Sequence, residues 1–126
     1  MQFKDIINQK RVISQFLNPV KQNRVSHNLM LTGPDGTGKL PLAASFAQYL
    51  QCESPVNDDA CGTCKSCQRS HQLQHPDIHF IFPIIKKDSK KKWISSDFIP
   101  DFRELFLENP YFTYIDWVNK LGAENK

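Results

Sequence analysis

The stretch Gly33-Pro34-Asp35-Gly36-Thr37-Gly38-Lys39-Leu40 matches the phosphate-loop pattern G-x-x-x-x-G-K-[ST] at every defined position but the last. In that pattern backbone N–H groups cradle phosphates, the lysine reaches the outer phosphates and the final hydroxyl ligates Mg²⁺. Leu40 stands where the hydroxyl belongs and cannot ligate a metal ion. Thr37 lies three positions too early to replace it. The loop therefore points to a nucleotide-binding fold, while its last residue argues against hydrolysis, which needs Mg²⁺ held at the outer phosphates. Gly33, Gly36, Gly38 and Lys39 are the candidate phosphate-binding residues, with a vestigial role open to them. An ordinary glycine turn is the plainer alternative.

The flanks support the loop. Asn28-Leu29-Met30-Leu31 is a short apolar run ending at Thr32-Gly33 and reads as a buried parallel strand. Beyond Lys39, a proline at position 41 is tolerated in a first helical turn. Leu42, Ala43, Phe46, Ala47 and Leu50 then mark one apolar helix face. Upstream, Val12, Ile13, Phe16, Leu17 and Val20 recur at helical spacing. Asn18-Pro19 interrupts that pattern and suits the start of a second short helix. Downstream, Ile78, Phe80, Phe82 and Ile84 alternate as in a second strand. Pro100, Phe102, Leu105 and Phe106 suggest a helix. Thr113 suits an N-cap, with Gly122 just past the end of a last helix. The expected fold class is α/β: a parallel sheet flanked by helices.

Cys52, Cys61, Cys64 and Cys67 follow the spacing C-x8-C-x2-C-x2-C. A Cys-x2-Cys turn brings two thiolates to one ion, and four thiolates complete a tetrahedral structural Zn²⁺ site. Lys65 and Arg69 are placed to offset its negative charge. Redox pairs usually follow a strand and open a helix, whereas these cysteines occupy a polar stretch. Free thiols and an iron–sulfur cluster are the other readings. His71, His75 and His79 share a four-residue spacing, but Pro76 breaks any helix that would align them.

The chain has 126 residues, room for one domain at most. No apolar run approaches the ~18 residues of a membrane span, and the first residues lack a signal peptide's apolar core. The expected location is cytoplasmic, where four cysteines suit a metal better than disulfides. The formal net charge of +3 permits an acidic partner without requiring one.

Loop and cysteines together resemble the bacterial DNA polymerase III clamp-loader subunits, the delta-prime and gamma/tau families of AAA+ proteins. Phe3-Lys4-Asp5-Ile6-Ile7-Asn8-Gln9 resembles the family's opening motif, with Asn8 where Gly is usual. Residues 24–31 and His75-Pro76-Asp77 are similar to the approaches to its first two strands. The resemblance covers about residues 1–84. It implies the N-terminal part of a P-loop AAA+ domain over residues 1–126, a zinc module at about 52–70 and a basic, helical insertion at about 86–126. It also implies that the chain is an N-terminal fragment, since the family's complete subunit is longer.

Leu40 favours the delta-prime type, which commonly keeps Gly-Lys-Leu and does not hydrolyse ATP. Such a subunit completes a hetero-pentamer with gamma/tau and delta. It serves the sliding clamp and primer-template DNA through that complex, itself part of a DNA-directed DNA polymerase holoenzyme. The family's Ser-Arg-Cys motif does not occur in this sequence. No catalytic residue is expected, and ATP is doubtful as a ligand. In an AAA+ sheet the first two strands are separated by later ones, so both would lack neighbours and self-association is expected.

Two other functions fit parts of the sequence. One is an active gamma/tau-like loader ATPase. The other is a zinc-containing DNA-binding module, in which Lys86, Lys87, Lys90, Lys91 and Lys92 contact phosphate and Trp93 stacks on a base. A solvated loop is the plain reading of that lysine run.

Overall fold

The computed structural model describes residues 1–86 and 92–122. Among these residues five α-helices form: α1 (Lys10–Lys21), α2 (Lys39–Gln51), α3 (Lys65–His71), α4 (Ile99–Glu108) and α5 (Tyr114–Leu121). Short 3-10 turns cover Phe3–Asp5 and Ser95–Phe98.

α2 lies between two apolar clusters. On one side Leu42, Phe46 and Tyr49 pack with Phe3 and Leu17, joined by Val12, Ile13 and Phe16 of α1. On the other, Ala44 meets Phe98, Phe102, Phe106, Trp117 and Leu121. Leu42 and Phe46 of the apolar face expected for α2 are buried, and contact on two sides extends burial beyond that face. Ser45 and Gln48 are fully buried, while Ala43 and Leu50 are exposed. Ser45 satisfies its hydroxyl by donating to the Pro41 carbonyl at 2.8 Å.

The expected break at Asn18-Pro19 does not occur; α1 runs through Pro19 to Lys21. Pro19 cannot donate to the Gln15 carbonyl four residues back, yet the helix continues past it. The Pro19 carbonyl is used instead, accepting the N–H of Arg24 at 2.7 Å while Asn23 bonds Val20 at 3.0 Å. Asn23 takes a left-handed φ of 54°, so the helix ends in a Schellman motif. The last helix follows its local signals. Thr113 Oγ1 accepts the N–H of Asp116 at 3.3 Å, and Asp116 accepts that of Thr113 at 2.8 Å. Gly122 closes the helix at φ 79°.

The parallel sheet does not form. Among the described residues there is no strand, and the one isolated bridge joins Val56 and Asp59. A strand needs a partner to take its N–H and C=O groups, and residues 28–31 and 78–84 offer each other none. The first segment is not buried either, with Leu29 52% and Met30 86% exposed. The second keeps its alternation without a ladder: Phe80 and Phe82 face the core, while Ile81 is 90% exposed. Aromatic packing fixes it, since Phe82 stacks on Phe102 at 4.7 Å and meets the Trp117 edge at 5.0 Å. The Trp117 indole also donates to the Pro83 carbonyl at 2.8 Å.

Candidate functional site

The four cysteines converge. Their sulfur atoms all lie within 4.8 Å of one another, and Cys61 Sγ and Cys67 Sγ are 3.9 Å apart. A tetrathiolate with Zn–S bonds of ~2.3 Å requires sulfurs about 3.8 Å apart, so the cluster fits a zinc ion. Cys52 caps the C-terminus of α2, and Cys64 caps the N-terminus of α3 by accepting the N–H of Cys67 at 3.4 Å. The intervening turn aims N–H groups at sulfur. Cys61 Sγ accepts from Thr63 at 3.5 Å and Cys64 at 3.4 Å, and Cys52 Sγ from Cys61 at 3.2 Å. Such donors stabilise thiolate charge and orient ligands.

The thiols differ in acidity for local reasons. The N–H groups of Thr63 and Cys64, then the Thr63 hydroxyl, pull Cys61 down to about 5. Burial pushes Cys67 up to about 12 and also raises Cys52. A bound cation would offset the burial penalty at Cys67 by supplying opposite charge. Lys65 and Arg69, expected near the cluster, are both exposed.

Residues that the sequence did not single out hold this module in place. Asp59 accepts the backbone N–H of Phe3 at 2.9 Å and of Lys4 at 3.1 Å. Gln2 Nε2 donates to the Ala60 carbonyl at 2.6 Å. Ser66 Oγ donates to the Gln51 carbonyl at 2.7 Å. The module is thereby fastened to the N-terminal turn and to the end of α2. Nothing in the local pattern Asn57-Asp58-Asp59 distinguishes the third residue from a solvated loop acid.

The glycine loop leads directly into α2. Gly36 and Gly38 adopt φ of 81° and 92°, left-handed values that favour glycine. Gly38 is the N-cap, so the unpaired N–H groups of the first turn open toward the loop. Lys39 does not reach outward; its ammonium donates to the Gly33 carbonyl. Thr37 Oγ1 donates to the Pro34 carbonyl at 2.8 Å, and Gln9 Nε2 holds the Thr37 carbonyl at 3.1 Å. Leu40 is half-buried and packs against the cluster of Phe98, Phe102 and Trp117. Its side chain serves the core in part and also lines the cleft between the loop and residues 110–114.

The histidines do not gather. His71 Nδ1 lies 3.3 Å from the Met1 amine, His75 Nδ1 accepts the N–H of Asp77 at 3.1 Å, and His79 is exposed. Lys87, Lys90 and Lys91 lie outside the described residues. Trp93 is half-buried, its ring 5.7 Å from that of Phe98, so it is not an open stacking platform. No described helix is long and apolar enough to cross a membrane.

Residues 8–115 match the family described as DNA polymerase III, delta subunit. The tau/gamma subunit of DNA polymerase III from Haemophilus influenzae is 34% identical over 76 residues, which is 60% of this chain and 11% of that protein. The delta' subunit from Bacillus subtilis is 33% identical over 75 residues, 60% of this chain and 22% of that protein. Protein STICHEL-like 3 of Arabidopsis thaliana is 32% identical over 89 residues, 71% of this chain and 8% of that protein. The chain thus spans less than a quarter of the length of each of the three. No solved structure matches it.

Proposed function

Since the chain belongs to the DNA polymerase III, delta subunit family, we propose that it is part of a delta-prime-type clamp-loader subunit that helps assemble the ring and does not hydrolyse ATP. Leu40 carries this reading. Its side chain packs against an apolar cluster, and an ATPase of this type needs a hydroxyl at this sequence position to hold Mg²⁺. Lys39, bonded to the loop's own Gly33 carbonyl, adds to it. Gly33, Gly36, Gly38 and Lys39 then form a retained scaffold, and α2 and its loop serve architecture.

In this reading the partners are gamma/tau and delta subunits in a hetero-pentamer, acting in DNA replication on the sliding clamp and primer-template DNA. Cys52, Cys61, Cys64 and Cys67 hold one Zn²⁺. Four thiolates leave no open coordination position, so the ion is structural. Likeness to the tau/gamma relative supports the second reading, an active loader ATPase; Leu40 opposes it. Reconstitution tests the assembly claim. The complete subunit should co-elute with gamma/tau and delta partners as one complex, and failure to enter that complex would reject the claim.

A further inference from the structure

Two clefts flank the glycine loop. One of about 240 Å³ is lined by Gln9, Val12 and Thr32, among others. The other, of about 200 Å³, lies between the loop and residues 110–114. Gly38 and Lys39 line both. Each is smaller than the ~300–1,000 Å³ of a typical small-molecule site.

Tyr111 restricts this space. Its ring lies so near Gly38 that a Cβ added there would be 2.7 Å from Cε1. Its phenol oxygen accepts the backbone N–H of Ile7 at 3.0 Å. The ring therefore bridges the loop's last glycine and the chain just before α1. Both contacts are to backbone, which holds the ring whatever the neighbouring side chains do. Tyr111 itself is positioned by its N–H, which donates to Asn109 Oδ1 at 3.1 Å, and by the start of α5 three residues later. A nucleoside phosphate lying on the N–H groups at the start of α2 would have the two clefts beside Gly38 for the rest of the molecule, and Tyr111 lines one of them.

We propose that Tyr111 restricts the side of the glycine loop that faces residues 110–114 and so hinders nucleoside phosphates from binding there. The inference rests on the non-hydrolysing reading given above and adds a cause for it that is independent of Leu40. Leu40 removes metal binding; Tyr111 narrows the space between the loop and residues 110–114.

The test is the Tyr111→Ala variant of the full chain, titrated with ATP and separately with pyrophosphate by calorimetry, with phosphate release recorded alongside. The variant should bind ATP at least tenfold more tightly than the parent, and neither should release phosphate. A variant with unchanged helical signal and unchanged ATP affinity overturns the proposal. Should Tyr111→Ala fail to fold, Tyr111→Leu carries the same expectation with an apolar side chain kept beside Gly38. Phosphate release by the parent would defeat the non-hydrolysing reading instead. An absent affinity gain without any release defeats only the role of Tyr111.

Discussion

Asp59 Oδ1 accepts the backbone N–H of Phe3 at 2.9 Å, tying the cysteine module to a residue that is itself buried in the α1–α2 core. The second oxygen takes the N–H of Lys4 at 3.1 Å, so one carboxylate fixes two consecutive peptides. Hydrogen bonds to a charged group contribute about 1.5–3 kcal/mol. Asp59→Ala should lower unfolding stability by about 1–3 kcal/mol in urea titration while zinc content stays unchanged. An unshifted midpoint would show that the turn is held by other contacts.

Zinc should organise everything between α2 and α3. Structural sites of this kind supply on the order of 10 kcal/mol of local folding free energy. Cys64→Ser removes a ligand and also the sulfur that caps α3. The variant should lose zinc by metal analysis, and amide exchange across residues 52–70 should rise steeply. A preparation of the unaltered protein that contains no zinc would refute the metal assignment.

The acidity difference within the cluster predicts selective chemistry in metal-free protein whose turn at residues 61–64 keeps its fold. With Cys61 drawn down to about 5 by the Thr63 and Cys64 amides, its thiolate predominates at pH 6. Cys67, pushed up to about 12 by burial, remains protonated there. Thiolate is the reactive form. Iodoacetamide at pH 6 should therefore alkylate Cys61 first and leave Cys67 unmodified, as read by peptide mass mapping. Labelling of both at equal rates, with amide exchange across residues 52–70 unchanged, would contradict the geometry.

Segment 28–31 carries Leu29 and Met30 at 52% and 86% exposure, beside backbone that forms no ladder. Exposed strand-like apolar segments invite pairing with another copy. Sedimentation of the 126-residue chain should show concentration-dependent association, weakened by Met30→Asp. A monomer at every concentration would count against this.

What was legible in the sequence was local. Gly36 and Gly38 take left-handed φ values that favour glycine, and Thr113 and Gly122 bound α5 as their residue types suggest. The cysteine spacing brought its sulfurs together because the turn between them is short. The misreadings came from distant partners. Residues 78–84 alternate as a strand would, yet a strand exists only where a neighbour completes it. Ser45 and Gln48 look solvent-facing on a one-sided helix and are buried because α2 is packed on two sides. Tyr111 meets Ile7 across a separation of 104 positions, and no local pattern records such a contact.

The central claim, that this loop no longer drives hydrolysis, is tested most directly by phosphate release from Mg-ATP with the complete subunit in the absence of its partners. The account predicts release at the buffer background, because Leu40 lies in an apolar cluster and leaves Mg²⁺ without its hydroxyl ligand. Release above background that disappears in a Lys39→Ala variant would contradict it and make this loop the working site of an ATPase.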